Sequence, residues 1–294
     1  MKEIIFFGGG KLTFKIMLNV LKKTEFTPIL FAARRHLNEK IFNNETLKKH
    51  LLKKKIKFFQ TEKIKISHLK NNLNIDKIFF AVSIGSPWIF KKDIINFFKK
   101  KIYNIHGSEL PKDKGGGGFS WQILQEKKRG FVKIHFLTEG IDEGNIILSS
   151  NFKIKNLNPF LINEVYIKKA LYLFEKLVNR IKSGKKIKGI PQNKKNSSYW
   201  PRLNSEIHGW INWDWKGNEI NTFIKSFGEP YVGAHTLCKD QKIYIKDSKF
   251  FRKYNFHPFQ YGLIFKIDKL GLWVCVKNGC LLIKKILFEK KIKT

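Results

Sequence analysis

An α/β fold is predicted by the first half of the sequence, where strand-like and helix-like segments alternate with short connections. The apolar run 4–7 ends in the glycine turn 8–10, and residues 12–22 then repeat apolar side chains at helical spacing. This alternation is typical of a mostly parallel sheet with helices on both faces. We therefore expect a large, Rossmann-like sheet domain in this part of the chain.

The same alternation continues as far as residue 183. Strand-like runs lie at 28–33, 56–59, 77–85, 102–105, 132–137 and 145–154, and helix-like runs at 46–55, 88–101 and 162–183. In the last of these, Leu173, Phe174 and Leu177 recur near the helical period. One face of this long helix should therefore be buried.

The composition changes after residue 183. The stretch 183–198 is rich in Gly, Pro, Lys, Asn and Ser and poor in apolar residues, which is typical of a linker. A helix-like segment at 217–227 precedes short strand-like runs at 235–238, 242–246, 263–267, 272–276 and 281–288. We predict a large domain at 1–190, a linker at 191–205 and a small accessory β-barrel-like domain at 206–294.

The composition excludes several classes of protein. The chain has 294 residues, 43% of them hydrophobic, yet no uncharged apolar stretch of about 18 residues that would predict a transmembrane helix. The first apolar run stops at Gly8, too early for a secretory signal. Cys238, Cys275 and Cys280 are too few and too irregularly spaced for a disulfide framework or a zinc site. We expect a reducing, cytoplasmic environment and no membrane partner.

The net charge of +35 suggests contact with nucleic acid, because lysine and arginine bind phosphate. However, only six of the 58 basic residues are arginine, the better bidentate phosphate ligand, and the lysines are spread along the whole chain. A solvated, lysine-rich surface is the favoured interpretation. The glycine turn 8–10 lacks a complete dinucleotide fingerprint, since Leu12 and Thr13 stand where glycine would be needed.

Asn104 and His106 are the first candidates for chemistry. They lie two residues apart at the end of a predicted strand, so both side chains should point the same way. Reactive groups gather at the carboxyl ends of parallel strands. The Pro- and Gly-rich loop 110–118 follows directly, and its backbone can approach a ligand closely.

Asp142 is the third candidate, on a turn just before Gly144 and a strand. Taken alone, it is an ordinary solvated turn residue. Near an imidazole, however, an aspartate fixes the tautomer and raises the basicity of the ring, and a nearby amide can donate to a developing oxyanion. Together these groups are what acyl transfer to an amine requires.

This ordered set resembles the folate-dependent formyltransferase family. The resemblance rests on Asn104-x-His106, the loop HGSELP at 106–111 and Asp142-x-Gly144. The family includes glycinamide ribonucleotide, methionyl-tRNA and sugar N-formyltransferases. Segments 209–236 and 261–286 resemble the accessory domain of the tRNA and amino-sugar enzymes, whereas the glycinamide ribonucleotide enzymes end earlier.

The resemblance implies that a formyl group moves from 10-formyltetrahydrofolate to a primary amine, with no metal. Asn104 and His106 would donate to the oxyanion of a tetrahedral intermediate. Asp142 would hold and charge-balance His106 and help to relay the proton of the amine to the folate nitrogen. The resemblance also implies a pterin slot lined by two strand ends: Ser83, Ile84, Gly85, Thr138, Glu139, Gly140 and Ile141.

The acceptor amine is where the chain departs from the family pattern. Glu109 stands where the family loop usually has leucine, and KDKGGGG at 112–118 replaces an arginine-containing stretch. The tRNA enzymes carry a Gly/Pro/basic loop where residues 32–51 have helical character and no Gly or Pro, and PYVGAHT at 230–236 looks closer to the sugar branch. We favour an amino sugar, carried on a nucleotide, with methionyl-tRNA as the alternative.

A hypothesis of another class is a non-enzymatic nucleic-acid-binding protein. It would use the tryptophan cluster Trp200, Trp210, Trp213 and Trp215, on which bases could stack. A core role for most of these side chains is the favoured interpretation. The identity of the acceptor and the oligomeric state are left open, with a homodimer as one option.

Overall fold

The structure, a computed structural model, describes residues 2–116, 118–155 and 157–288. It divides into two compact units. The first unit contains Met1–Gly115, Phe131–Phe152 and Tyr166–Tyr199, and the second contains Gly116–Gly130, Lys153–Val165 and Trp200–Thr294. The second unit thus takes in two interior segments of the chain, whereas the predicted domains were continuous.

The described residues form sixteen β-strands, some of them only two residues long. They are β1 (Glu3–Gly8), β2 (Thr27–Ala32), β3 (Lys40–Phe42), β4 (Glu45–Thr46), β5 (Lys57–Gln60), β6 (Ile78–Ile84), β7 (Ile102–His106), β8 (Lys114–Gly115), β9 (Arg129–Phe136), β10 (Ile146–Lys153), β11 (Tyr199–Trp200), β12 (Ala234–Cys238), β13 (Gln241–Phe251), β14 (Ile264–Asp268), β15 (Gly271–Val276) and β16 (Gly279–Phe288). The described helices are α1 (Gly10–Lys23), α2 (Arg34–Leu37), α3 (Leu47–Lys53), α4 (Ile66–Asn72), α5 (Lys92–Phe97), α6 (Gly118–Leu124), α7 (Pro159–Lys182), α8 (Ser205–His208) and α9 (Gly217–Ser226).

The first unit is built on a seven-stranded sheet in the order β10-β9-β7-β6-β1-β2-β5. The neighbours from β7 to β5 pair in parallel, and β7 pairs with β9 in antiparallel fashion. The chain runs outward from β1 to β5 and then returns to β6, so the strand order reverses between β1 and β6. Ligands of open α/β sheets bind at the carboxyl ends beside such a reversal. The predicted fold class is confirmed.

Buried side chains cover both faces of this sheet. On β1, Phe7 packs against Phe31 and Phe90 on one face, with ring centroids 5.5 and 5.1 Å away. The neighbouring Phe6 points the other way, toward Phe174 of α7 at 6.1 Å. Gly8 ends the strand where a Cβ atom would come within 2.0 Å of the Ile84 carbonyl oxygen, so only glycine fits there.

The second unit contains a five-stranded antiparallel sheet, in the order β12-β13-β16-β15-β14. Helix α9 covers one face of it. Ile220 and Ile224 of this helix are fully buried in a cluster with Val276, Leu281 and Ile283 of the sheet. The helix predicted at 217–227 and the C-terminal run of short strands are therefore present. Within the described residues, no helix combines the length and apolar character needed to cross a bilayer.

The helical character predicted for residues 32–51 is wrong for the middle of that segment. A hairpin, β3 and β4, lies between α2 and α3. Its turn is made by Asn43 and Asn44, both with positive φ, and asparagine adopts this conformation more readily than other side-chain-bearing residues. Thr46 then caps α3 by accepting a hydrogen bond from the Lys49 amide at 3.3 Å.

Two further expectations differ from the structure. The helix predicted at 88–101 is reduced to α5, and the chain leaves it through left-handed residues at Lys99 and Lys100. The core role favoured for the tryptophans is wrong for Trp210 and Trp215, which are 45% and 38% exposed. One edge of an indole ring can be covered while the rest remains in water, as where Trp210 meets the His235 ring at 4.3 Å.

We expect Phe7→Ala to lower the free energy of unfolding by about 3–5 kcal/mol, because a fully buried ring is replaced by a cavity. Urea denaturation followed by circular dichroism measures this change. Leu52→Ala is the control, since that side chain is 60% exposed and lies in helix α3. Equal stability losses in the two variants would contradict the placement of Phe7 in the core.

Candidate active site

Three neighbouring strands place polar side chains side by side at one end of the large sheet. Ser83 on β6 is the register partner of Asn104 on β7, and Asn104 is the partner of His135 on β9. Register partners project toward the same face of a sheet. His106 shares this face, because it follows Asn104 by two residues on the same strand.

The Asp142 carboxylate contacts the other two predicted catalytic residues, Asn104 and His106. Its Oδ1 accepts a hydrogen bond from Asn104 Nδ2 at 3.0 Å, and its Oδ2 accepts one from the Gly115 amide at 2.9 Å. The distance from Oδ2 to His106 Nδ1 is 3.4 Å. Asn104, His106 and Asp142, which are up to 38 residues apart in sequence, therefore form one cluster.

Two opposing effects set the charge of Asp142. Burial disfavours the ionised carboxylate and raises its pKa. The neighbouring His106, the His135 side chain and the Gly115 amide outweigh burial, and together they lower the pKa of Asp142 to about 2. The carboxylate is therefore charged at neutral pH, although only 11% of the side chain is exposed.

The His106 ring is held at both of its nitrogen atoms. Nε2 lies 2.8 Å from the Asp113 carbonyl oxygen and 2.6 Å from Ser108 Oγ, and the Ser108 hydroxyl itself donates to the same carbonyl at 2.6 Å. A carbonyl oxygen only accepts, so the contact assigns a hydrogen to Nε2. Nδ1 faces Asp142, so each ring nitrogen has an oxygen acceptor nearby.

His135 is a further residue of the site, and it was not predicted from the sequence. Its Nδ1 lies 2.8 Å from the Phe136 carbonyl oxygen, and its Nε2 lies 3.1 Å from Asn104 Nδ2. Asn104 Nδ2 therefore lies between His135 Nε2 and Asp142 Oδ1, and these two atoms are themselves 3.4 Å apart. A histidine between Ile134 and Phe136 in a strand-like run was the available signal, but its partner depends on strand register.

The turn that carries Asp142 is fixed from the segment predicted as a linker. Asp142 has a φ of 53°, in the left-handed region that is costly for most side chains. Gln192 Nε2 donates to the carbonyl oxygens of both Asp142 and Gly144, at 2.7 Å each. A Cβ atom on Gly144 would lie 1.7 Å from the Phe136 carbonyl oxygen. Gln192 and Gly144 thus allow the turn to hold this conformation.

An ion pair joins the same two loops beside Asp142. The Lys114 side chain is only 8% exposed, and its Nζ lies 3.2 Å from Glu143 Oε1. Glu109, which stands where the family usually has leucine, lies 3.3 Å from the Lys112 ammonium. Its charge also opposes the effect of burial on the half-buried Lys133, whose pKa is lowered overall. Gly117, in the four-glycine segment, lies outside the described residues.

The residues predicted for the pterin slot follow the ends of two strands, β6 and β9. Ser83 and Ile84 are buried at the end of β6, and the next residue, Gly85, has open space where a Cβ atom would project. In the segment after β9, Thr138 Oγ1 donates to the Gly140 carbonyl oxygen at 3.3 Å, and Glu139 accepts from the Lys92 amide. The remaining member is 42% exposed: Ile141.

Comparison with known families identifies the family to which the chain belongs. Residues 32–158 match the family described as formyl transferase, and residues 205–294 match its C-terminal domain. The chain belongs to the formyltransferase family. The prediction of a folate-dependent N-formyltransferase is thus confirmed as to family. The alternative of a non-enzymatic nucleic-acid-binding protein is not supported.

Individual relatives of the chain fall in two branches of the formyltransferase family. It is 28% identical over 252 residues to a methionyl-tRNA formyltransferase of Clostridium tetani, covering 83% of this chain and 78% of the relative. Among solved structures, an N-formyltransferase from Helicobacter canadensis, in complex with folinic acid and dTDP-3-aminofucose, matches with a TM-score of 0.70 and 22% identity, over 97% of this chain and 100% of that one. The structure of WlaRD, a sugar 3N-formyltransferase, matches with a TM-score of 0.68 and 24% identity, and the match covers 100% of this chain and 99% of WlaRD.

We expect Gln192→Glu to lower kcat for formyl transfer about 10- to 100-fold, because the donor to two carbonyl oxygens is replaced by a carboxylate and Asp142 is displaced. Steady-state kinetics measures the change. Asn193→Asp is the matched control, since it keeps the acceptor that caps the Lys195 amide. Unchanged turnover in Gln192→Glu would show that the turn carrying Asp142 keeps its conformation without the Gln192 hydrogen bonds.

The low pKa of Asp142 predicts a pH-dependent contribution to stability. A carboxyl group whose pKa falls on folding, here from 3.8 to about 2, stabilises the folded state above the higher value and loses that effect as pH falls toward the lower one. We expect the difference in unfolding free energy between wild type and Asp142→Asn to shrink by about 2 kcal/mol between pH 5 and pH 2. Urea titrations measure it, with exposed Asp240→Asn as the control. A difference independent of pH would contradict the assignment.

Proposed function

We propose that this formyltransferase moves a formyl group from 10-formyltetrahydrofolate to the primary amine of an amino sugar carried on a nucleotide. The observation that carries formyl transfer is the cluster in which Asp142 contacts both Asn104 and His106. Fold and family agree with this reaction, and the donor and acceptor are proposals. The cytoplasmic location expected from the sequence stays a prediction.

The residues at the two strand ends fit a reduced folate. Its pterin ring is flat and carries several hydrogen-bonding groups, so it suits a slot with apolar walls and accessible backbone. Ile84 is buried at the end of β6, Gly85 leaves open space, and Ile141 exposes apolar surface after β9. The Helicobacter canadensis neighbour was solved with folinic acid and WlaRD with 5-N-formyltetrahydrofolate, which supports a folate donor here.

When bound, 10-formyltetrahydrofolate supplies the formyl group, and the side chains of this chain orient and polarise it. We assign donation to the formyl oxygen first to His106, whose Nε2 carries a hydrogen. Asp142, whose pKa is lowered to about 2, would balance positive charge that develops on His106 and would pass a proton only transiently. Asn104 orients Asp142 and donates to the formyl oxygen once one of its amide hydrogens is released.

The amino-sugar acceptor rests on three observations. The two solved neighbours described above match nearly the whole of both chains and are described as acting on, or bound to, amino sugars. PYVGAHT at 230–236 resembles that branch. The segment 32–51 contains a short Asn43–Asn44 hairpin and no Gly or Pro, unlike the basic loop of the tRNA enzymes.

Methionyl-tRNA is the second candidate acceptor. The Clostridium tetani relative and other relatives from clostridia, Prochlorococcus marinus and Rickettsia bellii are methionyl-tRNA formyltransferases. The net charge of +35 also favours an anionic polymer. Because binding to tRNA releases counterions, turnover with tRNA should fall steeply with salt, whereas turnover with a small nucleotide sugar should fall less.

The decisive experiment offers 10-formyltetrahydrofolate with a panel of dTDP- and UDP-linked amino sugars and, separately, with methionyl-tRNA, at two salt concentrations. Release of tetrahydrofolate is followed by absorbance, and the formylated product by mass spectrometry. We expect turnover with at least one sugar. Turnover with tRNA alone would overturn the acceptor, and no turnover with any amine would overturn the reaction.

In the same assay, the catalytic roles predict large losses of turnover. We expect His106→Ala to lower kcat about 100- to 10,000-fold and Asn104→Ala about 100- to 1000-fold, because donors to the developing charge are removed. Asn71→Ala, at an exposed position on α4, is the control. Near-wild-type turnover of His106→Ala, with folding verified by circular dichroism, would contradict the mechanism.

A further inference from the structure

Two of the three cysteines face each other across a hairpin of the second unit. In the ladder between β15 and β16, Cys275 is the register partner of Cys280. The ladder closes at Val276 and Gly279, so only two residues, Lys277 and Asn278, form the turn. The pair is therefore separated by four residues in sequence and by one strand spacing in the sheet.

The backbone hydrogen bonds of Cys275 show whether it and Cys280 form a hydrogen-bonded or a non-hydrogen-bonded pair across the two strands. The Cys275 amide donates to the Leu263 carbonyl oxygen at 2.9 Å, and the Cys275 carbonyl accepts from the Gly262 amide at 2.9 Å. These groups point away from β16, so Cys275 and Cys280 are a non-hydrogen-bonded pair. Cα atoms of such pairs lie about 4.5 Å apart, within the range that a disulfide spans.

The thiols of Cys275 and Cys280 are buried, whereas the thiol of the third cysteine, Cys238, is exposed. Cys275 and Cys280 are 1% and 0% exposed, whereas Cys238 on β12 is exposed. Burial raises the pKa of both enclosed thiols, and the nearby Lys253 only partly offsets the effect on Cys280. All three cysteines are free thiols in the structure.

We propose that Cys275 and Cys280 are a reversible dithiol site that closes into a cross-strand disulfide under oxidation by a peroxide. One thiol gives up its proton and attacks hydrogen peroxide, which forms a sulfenic acid and one water. The second thiol then attacks that sulfur, an S–S bond forms, and the sulfenic oxygen leaves as a second water. In sum, two thiols and one hydrogen peroxide give one disulfide and two waters. A small dithiol reductant reverses the step by thiol–disulfide exchange.

Access to the pair runs through the edge of the sheet. Strand β14 is a terminal strand, four of its five residues are exposed, and the residues just before it bond Cys275. Because few contacts hold such an edge, local opening there admits a molecule as small as hydrogen peroxide. The enclosed pair should therefore react more slowly than exposed Cys238, and a thiolate is rarer at a raised pKa.

Formation of the disulfide would restrain the hairpin between β15 and β16, whose turn is hydrogen-bonded to the first residue of helix α9. The Lys277 carbonyl, in the turn between the two cysteines, accepts a hydrogen bond from the Gly217 amide at 2.9 Å. A disulfide across Cys275 and Cys280 restricts the unfolded chain over a short loop, so its stabilising effect is modest. We expect the Tm to rise by a few degrees, on the order of 5 °C.

The test uses the full-length chain with Cys238→Ser, which leaves only the two thiols in question. After titration with hydrogen peroxide, the protein is denatured, alkylated and weighed. We expect a mass about 2 Da below the reduced protein, no alkylation, and full recovery of both thiols with dithiothreitol. Trypsin cuts after Lys277, so the two cysteine peptides should remain joined until they are reduced.

Three outcomes would overturn the proposal. Both thiols could remain alkylatable even at peroxide concentrations and incubation times well beyond those that fully oxidise Cys238 in the wild-type protein. The product could instead be a disulfide between two chains, which a non-reducing gel reveals, or an irreversible sulfinic acid. Cys238→Ser with Cys280→Ser is the control, since its single thiol cannot give an intramolecular product and should show neither the mass loss nor the shift in Tm.

Discussion

The Asp142 carboxylate is the group on which the geometry of the active site depends. It accepts hydrogen bonds from Asn104 and from the Gly115 amide, and it faces the ring of His106. A buried carboxylate needs such partners, because burial alone would neutralise it. The same contacts that keep it charged also fix the positions of a strand end and a loop. Charge compensation and site geometry are thus one constraint in this formyltransferase, and a partner cannot be moved without changing both.

This constraint extends into the backbone. Asp142 points at its partners from a left-handed turn, a conformation that costs on the order of 1 kcal/mol or more for a residue with a side chain. Gln192 offsets that cost by joining two carbonyl groups of the turn, and Gly144 permits a close approach that any side chain would block. The ability of the site to hold a charged carboxylate in place therefore depends on a residue 50 positions later in the chain.

The sequence predicted those parts of the site that are local. Asn104 and His106 could be placed together because a spacing of two at a strand end fixes their direction. His135 and Gln192 could not, since their contacts depend on an antiparallel register and on the path of a polar segment, neither of which leaves a local pattern. The hairpin in the segment 32–51 was missed for a related reason. Its asparagine pair adopts left-handed conformations without the glycine or proline that marks most turns.

The resting site leaves His106 free to change partners at low cost. Its Nε2 shares the Asp113 carbonyl oxygen with the Ser108 hydroxyl, and Ser108 donates to that oxygen at 2.6 Å. If Nε2 turned its hydrogen toward the formyl oxygen of the proposed donor, the Asp113 carbonyl would keep Ser108 as its donor, and no buried acceptor would be left unsatisfied. Asn104 differs, because its amide nitrogen contacts two side chains, His135 and Asp142, and among the described residues no second donor to Asp142 Oδ1 is as close. In the proposed reaction these contacts favour an order of events. His106 would polarise the formyl group first, and Asn104 would join as charge develops on the formyl oxygen and one of its present contacts weakens.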